Sequence, residues 1–113
     1  MRGDRSRGVI RSDPTGFEVT TGKGEAHRFA WSEVAKIVAY KTDLLTTDAV
    51  CLDIHVHRGD AVMTVDDEIP GFWAFVEATK RHLPGARQDW EAEIVKPAFS
   101  ENATLVFART AGR

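Results

Sequence analysis

The chain has a single cysteine, Cys51, among 113 residues. No intramolecular disulfide can form, so the fold must rest on its core, and a reducing, cytoplasmic compartment is expected. Long apolar runs are also missing. None approaches the roughly 20 residues that span a bilayer. Arg2, Arg5, Arg7 and Arg11 near the start are followed by no apolar stretch, so no signal peptide is expected. There is no glycine-rich phosphate loop, no paired-cysteine zinc finger and no Gly-x-Ser-x-Gly elbow. Those absences point away from an enzyme and from a bound cofactor.

Charge is present but unevenly spread. The formal net charge is −2. Residues 42–77 hold eight acidic side chains against Arg58 alone, a net of −7. An acidic middle opposes nucleic-acid binding, which needs clustered Lys and Arg to displace counterions. The same sign opposes membrane or lipid-headgroup binding.

Alternation and turn chemistry outline the elements. Gly8–Arg11 and Phe17–Thr20 read as strands around the turn Ser12-Asp13-Pro14-Thr15-Gly16. Ala26–Ala30 pairs back as the next arm. Trp31-Ser32-Glu33-Val34 reads as a short helical turn capped by Ser32. Lys36–Lys41 follows as a strand with Val38 and Tyr40 on one face, and Ile37 and Ala39 on the other. Residues 49–57 alternate most cleanly, with Val50, Leu52, Ile54 and Val56 facing the core. Arg58-Gly59-Asp60-Ala61 reads as a two-residue type II′ hairpin. That register sets Val56 opposite Met63, His55 opposite Thr64 and Asp53 opposite Asp66.

A helix is expected from near Pro70, with Phe72, Phe75, Val76, Thr79 and Leu83 as its apolar stripe. Lys80, Arg81 and His82 suit its C-terminal end, and Leu83-Pro84-Gly85 stops it. A shorter helix over 88–95 carries Trp90 and Ile94. Thr104–Phe107 reads as a last strand. The fold class is α+β: six or seven antiparallel strands in a strongly bent sheet or barrel, capped by one long helix, with a C-terminal extension. The expected organisation is a flexible arm over 1–7, one domain over 8–109 and a flexible tail over 110–113.

The order of elements, with Trp31-Ser32-Glu33-Val34 and Ile37 closing the early strands, resembles the pleckstrin-homology-like barrels of small bacterial proteins. Trp31, Tyr40-Lys41-Thr42-Asp43, Thr47-Asp48, Leu52, Ile69-Pro70-Gly71-Phe72, His82-Leu83-Pro84-Gly85, Trp90, Pro97-Ala98-Phe99 and Asn102 resemble an uncharacterised family of such proteins. The resemblance covers roughly residues 17–107. It implies a PH-like barrel and brings no activity with it. That fold ends on its helix, whereas this chain continues for nearly thirty residues.

Two sets of residues are candidate sites. Tyr40, Lys41, Asp43, Thr46, Thr47 and Asp48 gather around a loop, where recognition residues concentrate. With Trp73 as an aromatic anchor, they make a candidate surface for a protein partner, either another protein or a second copy of this chain. Asp53, His55 and His57, spaced by two on a strand, share one face. With Asp66 across the hairpin they offer a carboxylate and imidazole set for a divalent metal. The function expected is a non-catalytic protein-binding or regulatory module. The alternatives are a metal-binding protein or metal-dependent enzyme using the Asp53 face, and an immunity-type inhibitor whose acidic patch neutralises a basic toxin.

Overall fold

The computed structural model describes residues 8–43, 48–94 and 103–109. The expected arm and tail lie outside the described residues. Among these residues, seven strands and two α-helices follow in the order β1 (Val9–Asp13), β2 (Gly16–Thr20), β3 (Ala26–Ala30), β4 (Val34–Asp43), β5 (Asp48–Val56), β6 (Val62–Asp66), α1 (Phe72–His82), α2 (Trp90–Ile94) and β7 (Thr104–Ala108). They form two open antiparallel sheets, ordered β1-β2-β3 and β6-β5-β4-β7. The α+β class and the strand number stand as expected.

The sheets do not close into a barrel. Closure would need β3 to pair with β4. A 3-10 turn over Trp31–Glu33 separates those strands, and β4 pairs instead with β5 on one side and, as far as Ala39, with β7 on the other. The C-terminal extension therefore completes the second sheet. The cap of the turn also differs from expectation. Ser32 lies within the turn, and the Glu33 carboxylate reaches back to accept the Ala30 N–H at 3.0 Å.

Both sheets and α1 share one core. Phe17 and Phe75 are fully buried, and Phe17 lies 5.6 Å from Phe29, 5.3 Å from Trp31 and 5.1 Å from Phe75 between ring centroids. The expected stripe of Phe72, Phe75, Val76, Thr79 and Leu83 is buried throughout. The buried Thr79 hydroxyl donates to the Val76 carbonyl at 2.7 Å, so its polarity is satisfied within the helix. α1 starts two residues later than expected, and its main sheet contact is β1. There the Ile10 N–H donates to the Pro70 carbonyl at 3.0 Å. α2 is held against α1 by Lys80 Nζ and Glu91 Oε2 at 2.6 Å, and it buries Trp90.

The β1–β2 turn is organised by Asp13. Its carboxylate accepts the Thr15 and Gly16 N–H groups, the Thr15 hydroxyl at 2.7 Å and the Arg28 guanidinium at 2.9 Å. The Thr15 hydroxyl, then Arg28 and the backbone donors, hold the Asp13 carboxyl far below the usual carboxylate range. A carboxylate with a depressed pKa stabilises the fold above its unfolded value, and that contribution disappears as pH falls through the folded value. Asp13→Asn is expected to melt below wild type at neutral pH. The gap should close progressively below about pH 4. A gap that stays constant down to pH 2, in paired thermal melts, would show that the Asp13 charge contributes nothing.

Candidate functional site

β5 runs down the middle of the second sheet and aligns three rows on its outward face. Lys36, His55 and Val62 form one row; Val38, Asp53 and Thr64 the next; Tyr40, Cys51 and Asp66 the third. The expected faces are correct: Ile37, Ala39, Leu52, Ile54 and Val56 are buried, while Val38, Tyr40, Asp53 and His55 are half-buried. Cys51 sits on the outward row yet is buried.

The β5–β6 register differs from the expected one by two residues. Asp53 faces Thr64, His55 faces Val62, Ile54 faces Met63, and Asp66 faces Cys51. The connection is a 3-10 turn over Arg58–Asp60, with Gly59 at φ 68° and ψ 14°, in place of a two-residue type II′ turn. The cause is tertiary. The His57 N–H donates to the Glu33 carbonyl at 2.9 Å, and Arg58 reaches Glu33 at 2.7 Å and lies 4.8 Å above the Phe29 ring. These contacts tie the corner to the first sheet and end β5 at Val56.

The corrected register changes the chemistry of the expected metal face. Asp53 Oδ1 accepts the Tyr40 hydroxyl at 3.0 Å and the Thr64 hydroxyl at 2.7 Å. Asp66 Oδ1 accepts the Glu68 N–H at 3.0 Å. His57 lies beyond the end of β5 and is exposed. Among the described residues no three His, Cys, Asp or Glu side chains converge as a set of metal ligands. Lys36, which sequence reasoning did not single out, stands directly across from His55. Its alternation with Val38 and Tyr40 showed which face it takes, but only the β4–β5 register shows its neighbour.

The described residues of the expected partner-binding set fall on β4, β5 and α1. Tyr40 and Lys41 lie on β4 opposite Cys51 and Val50, and Asp43 faces Asp48 where the two strands meet the connecting loop. Thr46 and Thr47 lie outside the described residues. Trp73 is 47% exposed on α1, edge-on to Phe72 at 4.9 Å. β7 pairs with β4 only as far as Ala39. The edge of β4 away from β5 runs on from there to Asp43, past the described β7 pairing.

Tyr40 anchors the start of that edge. Burial first, then its hydrogen bond to the Asp53 carboxylate, pushes its phenol up to about 12. A raised phenol pKa stabilises the fold fully below the unfolded value and loses the contribution as pH rises through the folded one. Tyr40 is the sole tyrosine, so tyrosinate absorbance reads it alone. Wild type should stay protonated past the ordinary value of about 10. Asp53→Asn should titrate earlier. Identical curves for the two, with the fold checked by circular dichroism over the same pH range, would show that the Tyr40–Asp53 bond is not formed.

No helix among the described residues is long and apolar enough to cross a membrane. No protein family, curated protein or solved structure matches this chain.

Proposed function

We propose that this protein is a non-catalytic, cytoplasmic protein-binding module that takes up a partner segment along the outer edge of β4. The observation that supports the proposal is that the described β4–β7 pairing ends at Ala39 while β4 continues to Asp43, beside a strand pair fixed by the Tyr40–Asp53–Thr64 hydrogen bonds. An extended segment added to such an edge gains main-chain hydrogen bonds, and alternate side chains supply specificity. The net charge of −7 over residues 42–77 favours a basic segment and speeds its encounter. The resemblance to pleckstrin-homology-like proteins supports only a strand-rich scaffold and adds no activity.

The test is affinity capture from lysate of the source organism by wild type and by an Asp43→Lys, Asp48→Lys variant with an unchanged melting temperature. One dominant partner, held by wild type and lost by the variant, is the expected result. Equal capture by both proteins, or no enriched partner, would overturn the proposal.

A further inference from the structure

One cleft lies at the corner of the second sheet, away from the β4 edge. It is lined by Ala35, Lys36, His55, Val56, His57 and Ala61 and measures about 230 Å³. That is below the roughly 300–1,000 Å³ typical of sites for larger organic ligands, so a small ion fits best. The cleft owes its form to an irregularity. The β4–β5 register shifts between Val34 and Lys36, leaving Ala35 as the extra residue, and the Ala35 carbonyl accepts the Arg109 N–H at 2.8 Å. Such bulges bend a strand and re-aim its side chains.

Three of the lining residues, Lys36, His55 and His57, carry side-chain nitrogens. Lys36 faces His55 across the strands, and His57 follows where β5 ends. Two carboxylates on the flanking elements are engaged elsewhere. Asp53 Oδ1 takes the Tyr40 and Thr64 hydroxyls, and Glu33 takes Arg58 and the Ala30 N–H. Among the described side chains no carboxylate pairs with Lys36, His55 or His57. An ammonium offers three donors and each imidazole at least one. A metal ion entering here would meet the Lys36 charge, whereas an oxyanion would be attracted by it and could accept from all three groups.

We propose that this cleft binds a small oxyanion of the phosphate class, with Lys36 supplying the charge and the His55 and His57 rings donating hydrogen bonds. Inorganic phosphate, titrated into the intact chain at constant ionic strength, tests this through the imidazole proton resonances. The chain has four histidines, and His27 on β3 and His82 on α1 serve as internal controls. The expected result is saturable shifts at His55 and His57 only, with binding weakened about tenfold in Lys36→Gln. Because Lys36 is exposed, that variant should keep its melting temperature. Phosphoserine in a parallel titration separates a phosphate ester from the free ion, and selective saturation by either supports the site. Equal shifts at all four histidines, or none that saturate, would overturn it. So would zinc binding at His55 and His57, unweakened by Lys36→Gln, in a protein that ignores phosphate.

Discussion

Phe75→Ala is expected to destabilise the protein by about 3–5 kcal/mol, the usual cost of emptying a buried aromatic site. Phe75 is fully buried where α1 meets the first sheet. Its ring is edge-on to Phe17 at 5.1 Å and stacked on Trp31 at 5.9 Å. Truncation therefore removes two ring contacts as well as apolar area, and the lining residues belong to a sheet and a turn that cannot readily collapse inward. A domain of this size has about 5–15 kcal/mol in total, so the variant should approach its unfolding threshold. Trp73, two residues earlier, provides the contrast. Its side chain is 47% exposed, and Trp73→Ala should cost less than about 1 kcal/mol. Urea midpoints for the pair check both values. Similar losses would mean that the buried stripe of α1 is wrongly assigned.

The second large effect is expected at Gly71, which precedes α1 with φ 91° and ψ −3°. An alanine there would suffer twice. The left-handed conformation costs a residue with a Cβ about 1–2 kcal/mol. The added carbon would also fall 1.9 Å from the Ile10 carbonyl oxygen, and that neighbour is strand backbone that cannot swing aside. β1 or the start of α1 must move, weakening the Ile10–Pro70 hydrogen bond and the packing behind it. The total is expected to be about 3–5 kcal/mol. Gly85 separates the two contributions, because its φ is also positive, at +87°, while its Cβ position is open. Gly85→Ala should lose only the dihedral part. If the two variants unfold at the same urea concentration, the close approach of β1 to Gly71 is not a feature of the folded protein.

The parts of this fold that were legible in the sequence are those fixed by local chemistry. Asp13-Pro14-Thr15-Gly16 specifies its turn because the Asp13 side chain bonds to the residues just after it. Alternation on β4 and β5 identified the buried faces, since period two needs no knowledge of the partner strand. What failed depended on distant contacts. The β5–β6 register was misread by two because Arg58 and His57 are drawn to Glu33, some twenty-five residues away in sequence. Parity survived that error, so the faces stayed correct while every cross-strand neighbour changed. The open architecture was hidden for a similar reason, because β7 takes the β4 edge that a closed barrel would use for β3. Asp53-x-His55-x-His57 announced a polar row correctly. Its carboxylate turned out to serve Tyr40 and Thr64, His55 turned out to lie across from Lys36, and both histidines line the cleft.

The central claim is that a partner segment lies along β4 beyond Ala39. Amide hydrogen exchange on this protein, alone and bound to the partner it captures, addresses that claim residue by residue. The expected result is new protection at amides between Tyr40 and Asp43, with the β1 and β6 edges unchanged. Protection confined to another surface, such as α1 around Trp73, or none on β4, would contradict it.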